Sequence, residues 1–361
     1  MENAIIFLCT ENELDRERNG YFKAFSKQIN TVCIPYERQY LSNQLEELVP
    51  ENINPLLIIH PDSWPRLLPQ GITTTTHPTC CFQIDTFEEP QARAEFSRLF
   101  DYAFVFHPEY DKKFAQYGSL NTYVLPHAVD AEIFQNCQIE KIYDLGWVGR
   151  LNGKKYSVRR YYINKLKRSF KMNDIELYYT PEEMALVYCQ SKIVVNLSRD
   201  DYLQDANLRC FEVMASGALL ITPKPSELSK LGFEVGIHFV SFEDELELYQ
   251  KVQHYLEQDR ERETIARNAQ KLVLEQHTYD ARVATILAIL NRNANKLFAP
   301  ARQWNEVQVY QEYLKYFCRS FMLDKAFCEL GKIYKIKPTM AYFNSLKLIK
   351  ALIIKFRDAL R

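Results

Sequence analysis

Short apolar runs alternate with amphipathic stretches through the first 125 residues. Ala4–Cys9 is an unbroken apolar run of strand length, and Tyr21, Phe22, Phe25 and Ile29 follow at helical spacing. Thr31–Pro35, Leu56–Ile59, Cys80–Ile84, Tyr102–Phe106 and Thr122–Leu125 read as further strands, with helices over Leu41–Leu48 and Asp111–Tyr117. Strands that are apolar throughout, separated by helices, predict parallel pairing with both sheet faces covered.

The pattern breaks in a polar segment over Asp130–Lys141 and then restarts. Asp144–Val148, Asp174–Tyr178, Ile193–Leu197, Ala218–Thr222 and Ile237–Phe242 are predicted strands. Ser157–Phe170 is a predicted helix, and Thr180-Pro181-Glu182-Glu183 carries the cap, first-turn proline and capping-box glutamate of a helix start. A helix over Ala206–Ser216 stops at Gly217. Three more follow, over Glu243–Glu257, Arg260–Gln276 and Tyr279–Lys296. The chain therefore reads as two successive open α/β domains, 1–135 and 136–298. Ligands of such domains sit at the carboxyl ends of the strands, which places a cleft between them.

Residues 299–361 have no strand signal and form a predicted helical tail. Positions 332, 335, 337, 347, 350, 355, 357 and 361 are basic, against one acid, Asp358. Leu346, Ile349, Leu352, Ile353, Phe356 and Leu360 share one helical face. Two readings stay open: a helix packed on the body with a solvated basic face, or a peripheral membrane or anionic-partner contact through 332–361.

Composition narrows the classes. The 361 residues suit about two domains. A net charge of −1 argues against nucleic acid as a partner. No run approaches the roughly 20 apolar residues of a membrane span, and the start lacks the basic region of a secretion signal. Nine irregularly spaced cysteines, with no C-x-x-C, read as free thiols of a cytoplasmic protein. Only 10 glycines argue against a multi-glycine nucleotide loop.

Two segments carry candidate chemistry. In Asp144–Arg159 a strand runs into Gly146 and Gly149 and then meets Arg150, Lys154 and Lys155. Glycine lets backbone approach a ligand closely, and the cations would neutralise a diphosphate. In Asn196–Gly217 a strand ends at Ser198, and a polar loop leads to a helix holding Asn207, Arg209 and Glu212. A helix N-terminus suits phosphate, and a glutamate one turn in could hold two ribose hydroxyls. Asp200-Asp201 raises a metal reading, but adjacent carboxylates diverge, and no histidine spacing matches a ligand set. In the first half, His77, Asp85, His107 and His127 are candidate acceptor-side residues, with Asp85 expected at the cleft mouth after its strand.

The segments D-L-G-W-V-G-R and N-L-R-C-F-E-V-M-A-S-G-A-L-L-I-T together resemble the donor-binding half of group 1 glycosyltransferases, and most of all the CgeB-like spore-maturation branch. Leu125–Phe134 resembles the interdomain L-P-x-G-V-D-x-x-x-F of that superfamily, and His277-Thr278-Tyr279-Asp280-Ala281-Arg282 a later His-Thr-Tyr-x-x-Arg. The resemblance covers residues 120–290. It implies a GT-B fold, with two Rossmann-like domains facing a cleft. It implies an enzyme that moves a sugar from a nucleotide-diphosphate sugar to an acceptor hydroxyl of a glycan, lipid or protein. Retention, no metal and no resident cofactor are implied with it. Gly149, Arg150, Lys154, Lys155, Ser198, Asn207, Arg209 and Glu212 would then bind the donor. Asp85, His127 and Asp205 are the catalytic candidates.

Two departures qualify the likeness. The family often has a glutamate eight positions before Glu212; here Gln204 stands there, with Asp205 beside it. The alternative is therefore a GT-B fold that binds nucleotide, or serves a membrane or complex, without turnover. The glycine pair after the first strand is also missing, and Asn19-Gly20 is the nearest substitute.

Overall fold

The computed structural model describes residues 1–35, 45–62, 71–293, 297–319, 323–346 and 349. The first sheet holds β1 (Glu2–Leu8), β2 (Asn30–Ile34), β3 (Ile53–His60), β4 (Thr79–Gln83), β5 (Tyr102–Val105) and β6 (Thr122–Val124) in the order β2-β1-β3-β4-β5-β6. All its pairs are parallel. The order reverses beside β1, which puts a ligand crevice at the carboxyl ends of β1 and β3. The connections include α1 (Arg16–Ser26), α2 (Leu45–Leu48), α3 (Pro90–Ser97) and α4 (Tyr110–Gln116).

β1 shows why its run is unbroken. Ile5 and Phe7 face α1, packing with Tyr21 and Phe25, while Ala4, Ile6 and Leu8 face the other layer. Successive strand side chains point to opposite faces, and here both faces are core.

The second sheet is β7 (Tyr143–Gly146), β8 (Ser191–Val195), β9 (Leu219–Pro223) and β10 (Val240–Phe242), parallel in the order β10-β9-β8-β7. Around it lie α5 (Ser157–Ser169), α6 (Pro181–Cys189), α7 (Leu208–Ala215), α8 (Glu245–Glu257) and α9 (Asp259–Gln276). Thr180 caps α6 with the expected box: its hydroxyl accepts from Glu183 N, and Glu183 accepts from Thr180 N. The strand expected over Asp174–Tyr178 does not form. Leu177 and Tyr178 are exposed, and Asn173 uses its amide to bond the backbone N and O of Trp147 at 2.8 Å. The segment has no second apolar layer to fill, so it stays irregular.

The chain then crosses back. α10 (Tyr279–Arg292) lies within the expected second domain but packs on the first, placing Tyr279, Val283, Ile286 and Leu290 against β1, β3 and α1. The crossing is stitched by hydrogen bonds from Val129 N to His277 O (2.9 Å) and from Tyr279 N to Val129 O (3.3 Å). Buried Arg282 donates to Pro126 O, His127 O and Gln276 O. The two motifs expected at 125–134 and 277–282 thus pair with each other where the chain crosses between the domains. Gly20 belongs here too. It lies inside α1, and a Cβ on it would meet the Tyr279 ring at 2.2 Å. It is a helix-packing glycine, not a phosphate-loop substitute.

The tail covers the open face of the first sheet. α11 (Glu306–Arg319) and α12 (Leu323–Ile336) bury Val307, Leu314, Phe317, Ala326 and Ile333 against Ala4, Ile6, Ile58 and α3. Buried Asp101 anchors it, accepting from Phe298 N, Ala299 N and both Nε and Nη2 of Arg302 at 2.7–2.9 Å. The same Arg302 holds the carbonyl of His77, which precedes β4 and so sits at the end of the sheet away from the cleft. That removes His77 from the acceptor-side candidates. Most of the amphipathic face predicted from Leu346 onward lies outside the described residues. Among the described residues no helix is long and apolar enough to cross a membrane.

Candidate active site

Seven strand ends point into one cleft. Arg16 and Glu17 open α1 after β1. Asp85 follows β4, His107 follows β5 and His127 follows β6. From the other side come Gly149 after β7, the loop 198–207 after β8, and Glu227 after β9. Every one lies beyond a carboxyl end, where parallel sheets place their ligands.

At the centre, His127 Nδ1 is 2.7 Å from Glu17 Oε1, and His107 Nδ1 is 2.9 Å from Glu227 Oε2. Asp205 reaches in from the second domain, 3.9 Å from His107. Burial opposes a charge on His127, but Glu17, Asp205 and Asp85 outweigh it and raise the imidazole from 6.5 to about 9. It is an imidazolium at neutral pH. Burial, reinforced by Glu227 and Asp85, pushes the Asp205 carboxyl up, while His107 and His127 pull it down. Exposed Asp85 stands close enough to act on both electrostatically. Of the three catalytic candidates, His127 and Asp205 fall in one cluster with His107, and Asp85 stands exposed after β4.

Glu227 organises that cluster and gives no sign of it in the sequence. It is buried, accepts from Tyr202 OH at 2.6 Å, from Ala206 N at 3.3 Å, and pairs with His107. Among the described residues, His107, His127 and Asp205 also form a group whose ligand atoms lie within 4.8 Å of one another. These three residues could therefore hold a metal ion.

The donor side is built around Asn196. Its Oδ1 accepts from Arg209 Nη1 (2.9 Å) and Asn207 Nδ2 (3.2 Å). Arg209 also donates to Val148 O, and its guanidinium carbon stands over Trp147, 4.4 Å from its ring centre. A Cβ on Gly149 would meet Arg209 Nη2 at 2.3 Å, so glycine here is a close-approach requirement. Ser198 is buried; its hydroxyl accepts from Asn207 Nδ2 (2.8 Å) and donates to Asp205 O (3.2 Å), so it shapes the loop. Arg150 and Lys154 stand exposed on the loop after β7. Lys155 is drawn aside to Glu88 at 2.9 Å and Asp201 at 3.6 Å. Glu212, on α7, is buried and paired with Arg16 of α1.

Glu212 Oε2, Asn207 Oδ1, Trp147 Nε1 and Asp205 Oδ1 of the second domain and His107 Nε2 of the first are buried without a hydrogen-bond partner. Buried polar groups are almost always satisfied, so such atoms beside a cleft are available to a polar ligand. The Asp200-Asp201 pair is otherwise engaged. Asp200 caps α5, accepting from Ser157 N (2.7 Å), Ser157 Oγ (2.5 Å) and Val158 N (3.2 Å), and Asp201 pairs with Arg199.

The cleft is latched. Arg199 and Lys155 of the second domain both reach Glu88 of the first, Lys230 reaches Glu109, and Tyr202 stacks on Phe87 at 4.2 Å.

Comparison with known proteins bears on the fold. Residues 151–288 match the glycosyl transferase-like family. No curated protein matches the sequence. Among solved structures, Anabaena Alr3699/HepE in complex with UDP is similar at 11% identity and TM-score 0.55, covering 81% of this chain and 100% of that one. A glycosyltransferase from Rickettsia africae is similar at 10% identity and TM-score 0.58, covering 81% and 98%. Sucrose-phosphate synthase from Thermosynechococcus elongatus is similar at 12% identity and TM-score 0.56, covering 81% and 99%. The chain therefore has the GT-B fold of glycosyltransferases, and its second half holds a glycosyl transferase-like domain.

Proposed function

We propose that this protein is a glycosyltransferase of the group 1 type, closest in motif order to the CgeB-like branch. It moves a sugar from a nucleotide-diphosphate sugar to an acceptor hydroxyl, with retention, without metal and without a resident cofactor. The carrying observation is that donor-motif side chains of the second domain, Glu212 and Asn207 among them, keep buried polar atoms without a hydrogen-bond partner beside the cleft. The structurally similar HepE was solved with UDP and with UDP-glucose, which makes UDP the first nucleotide to test.

In this reading Glu212 Oε2 takes ribose hydroxyls, and Asn207 and Arg209 line the donor pocket with Gly149 beneath. Arg150 and Lys154 meet the diphosphate as the bond to the anomeric carbon breaks and its charge grows, and Lys155 joins them by leaving Glu88. Preorganised cations favour that state. The acceptor oxygen forms its bond to the anomeric carbon on the face the diphosphate leaves, and its proton passes to the departing phosphate. The His127 imidazolium and Asp205 stand beside the reacting sugar. Asp205, 3.9 Å from His107, supports a carboxylate standing in for the one expected at Gln204, and so a reading with turnover. Nine free cysteines suit a cytoplasmic setting.

We also propose peripheral contact with an anionic membrane through the tail. Phe327, Tyr334, Tyr342 and Phe343 are exposed there, interleaved with exposed Lys335 and Lys337. A lipid or lipid-linked acceptor would then meet the first domain, on which the tail packs.

The test is thermal-shift binding of UDP, GDP, ADP and their sugar conjugates, without metal and then with Mn²⁺. One diphosphate is expected to raise Tm, with the shift lost in Glu212→Ala and Arg150→Ala, and transfer or hydrolysis of its sugar conjugate is expected. A well-folded protein that responds to no nucleotide would overturn the reading.

A further inference from the structure

Glu212 sits just inside α7 and is 2% exposed. A carboxylate so deep needs a charge or hydrogen-bond partner. Its Oε1 is paired with Arg16 Nη2, and its Oε2 has no partner in the structure. Arg16 is the first residue of α1 and so comes from the other domain. Its Nη1 donates to Met184 Sδ at 3.2 Å, and its guanidinium stands 5.7 Å from the ring centre of Phe134. Glu212, Met184 and Phe134 all lie beyond the first sheet. Arg16 therefore reaches across the cleft, and its Nε is buried there without a partner.

We propose that Arg16 is a donor-positioning residue: it holds one oxygen of Glu212 so that the other faces the ribose hydroxyls. Ribose recognition is thereby tied to the closed pairing of the two domains. The proposal rests on the donor-site reading above. Its physical basis is that a lone buried carboxylate takes up a proton or turns toward another donor. A protonated carboxyl has less acceptor capacity for two adjacent hydroxyls. The planar guanidinium both keeps the charge and fixes the carboxylate plane, which a lysine does only in part.

The experiment measures Kd for UDP and for 2′,3′-dideoxy-UDP by calorimetry on the full chain. Wild type, Glu212→Gln, Arg16→Gln and Arg16→Lys are compared, with melting curves for each. Wild type is expected to prefer UDP by tenfold or more. E212Q and R16Q are each expected to bring the ratio of the two Kd values near 1, with R16K between. A merely structural Arg16 would lower Tm and leave the ratio unchanged, and that result overturns the proposal while the donor site stands. Should R16Q not fold, R16K decides: an intermediate ratio supports the proposal, and the wild-type ratio overturns it. If wild type and E212Q are equally indifferent to the ribose hydroxyls, the assignment of Glu212 itself fails, and this proposal with it.

Discussion

Replacing Glu17 with glutamine tests the electrostatics of the cleft at one point. His127 is buried, and burial alone would push its imidazole below 6.5. The Glu17 carboxylate at 2.7 Å, with Asp205 and Asp85 beyond it, carries it instead to about 9. At 1.36 kcal/mol for each tenfold change in proton affinity, the move from 6.5 to about 9 is worth up to roughly 3 kcal/mol. The folded value lies above the unfolded one. The stabilisation is therefore complete below about pH 6.5 and disappears as the pH rises through about 9. Glu17→Gln keeps the shape and removes the nearest charge, so burial should weigh more and the His127 value should fall well below 9. The variant should lose up to about 3 kcal/mol at pH 6 and little at pH 10. NMR titration of the His127 ring, assigned with His127→Asn, gives the first quantity, and urea unfolding at pH 6, 8 and 10 gives the second. A wild-type value near 6.5, or a value near 9 surviving in the variant, would refute the reasoning. So would a stability loss equal at pH 6 and pH 10.

Three further outcomes are expected. Gly149→Ala drives a methyl into Arg209, which is held by Val148 O and Asn196, at a backbone angle that strains any side chain; nucleotide Kd should rise at least tenfold and Tm should fall, read by calorimetry and melting. Asp200→Ala removes the cap of α5 and should cost about 1–2 kcal/mol in urea unfolding, while sugar transfer by the wild-type enzyme persists in EDTA; an absolute Mn²⁺ requirement would contradict the metal-free reading. Lys335→Ala with Lys337→Ala should weaken co-sedimentation with anionic vesicles by about 2 kcal/mol, near 1 per lysine removed, and leave neutral vesicles unaffected.

Much of this molecule is legible from residues close together in the chain. β1, β3 and β8 are long enough and apolar enough on both faces that only a buried parallel strand suits them. Thr180 and Gly217 mark helix ends through backbone chemistry within a few residues. Gly149, Asn207, Arg209 and Glu212 stand out because the loops after β7 and β8 keep recognisable spacing. The segment Asp174–Tyr178 misleads because a short apolar run can edge a sheet or lie on the surface, and its own residues do not decide between them.

The partners of charge are decided elsewhere. Arg16 and Glu17 sit in the run D-R-E-R, which by itself reads as a solvated helix start. Glu227 sits in E-L-S-K-L, which reads the same way. Each becomes a cleft residue only because a group about 110 to 196 positions away is folded against it: His127 for Glu17, His107 for Glu227, Glu212 for Arg16. The return of α10 to the first domain is likewise invisible in its helical pattern, since an apolar stripe states that it must be covered but not by what. Local periodicity and backbone chemistry therefore determined the elements and the loops that carry the donor motif. Which carboxylate faces which cation, and so the charge of the cleft, depended on long-range burial that only the assembled domains supply.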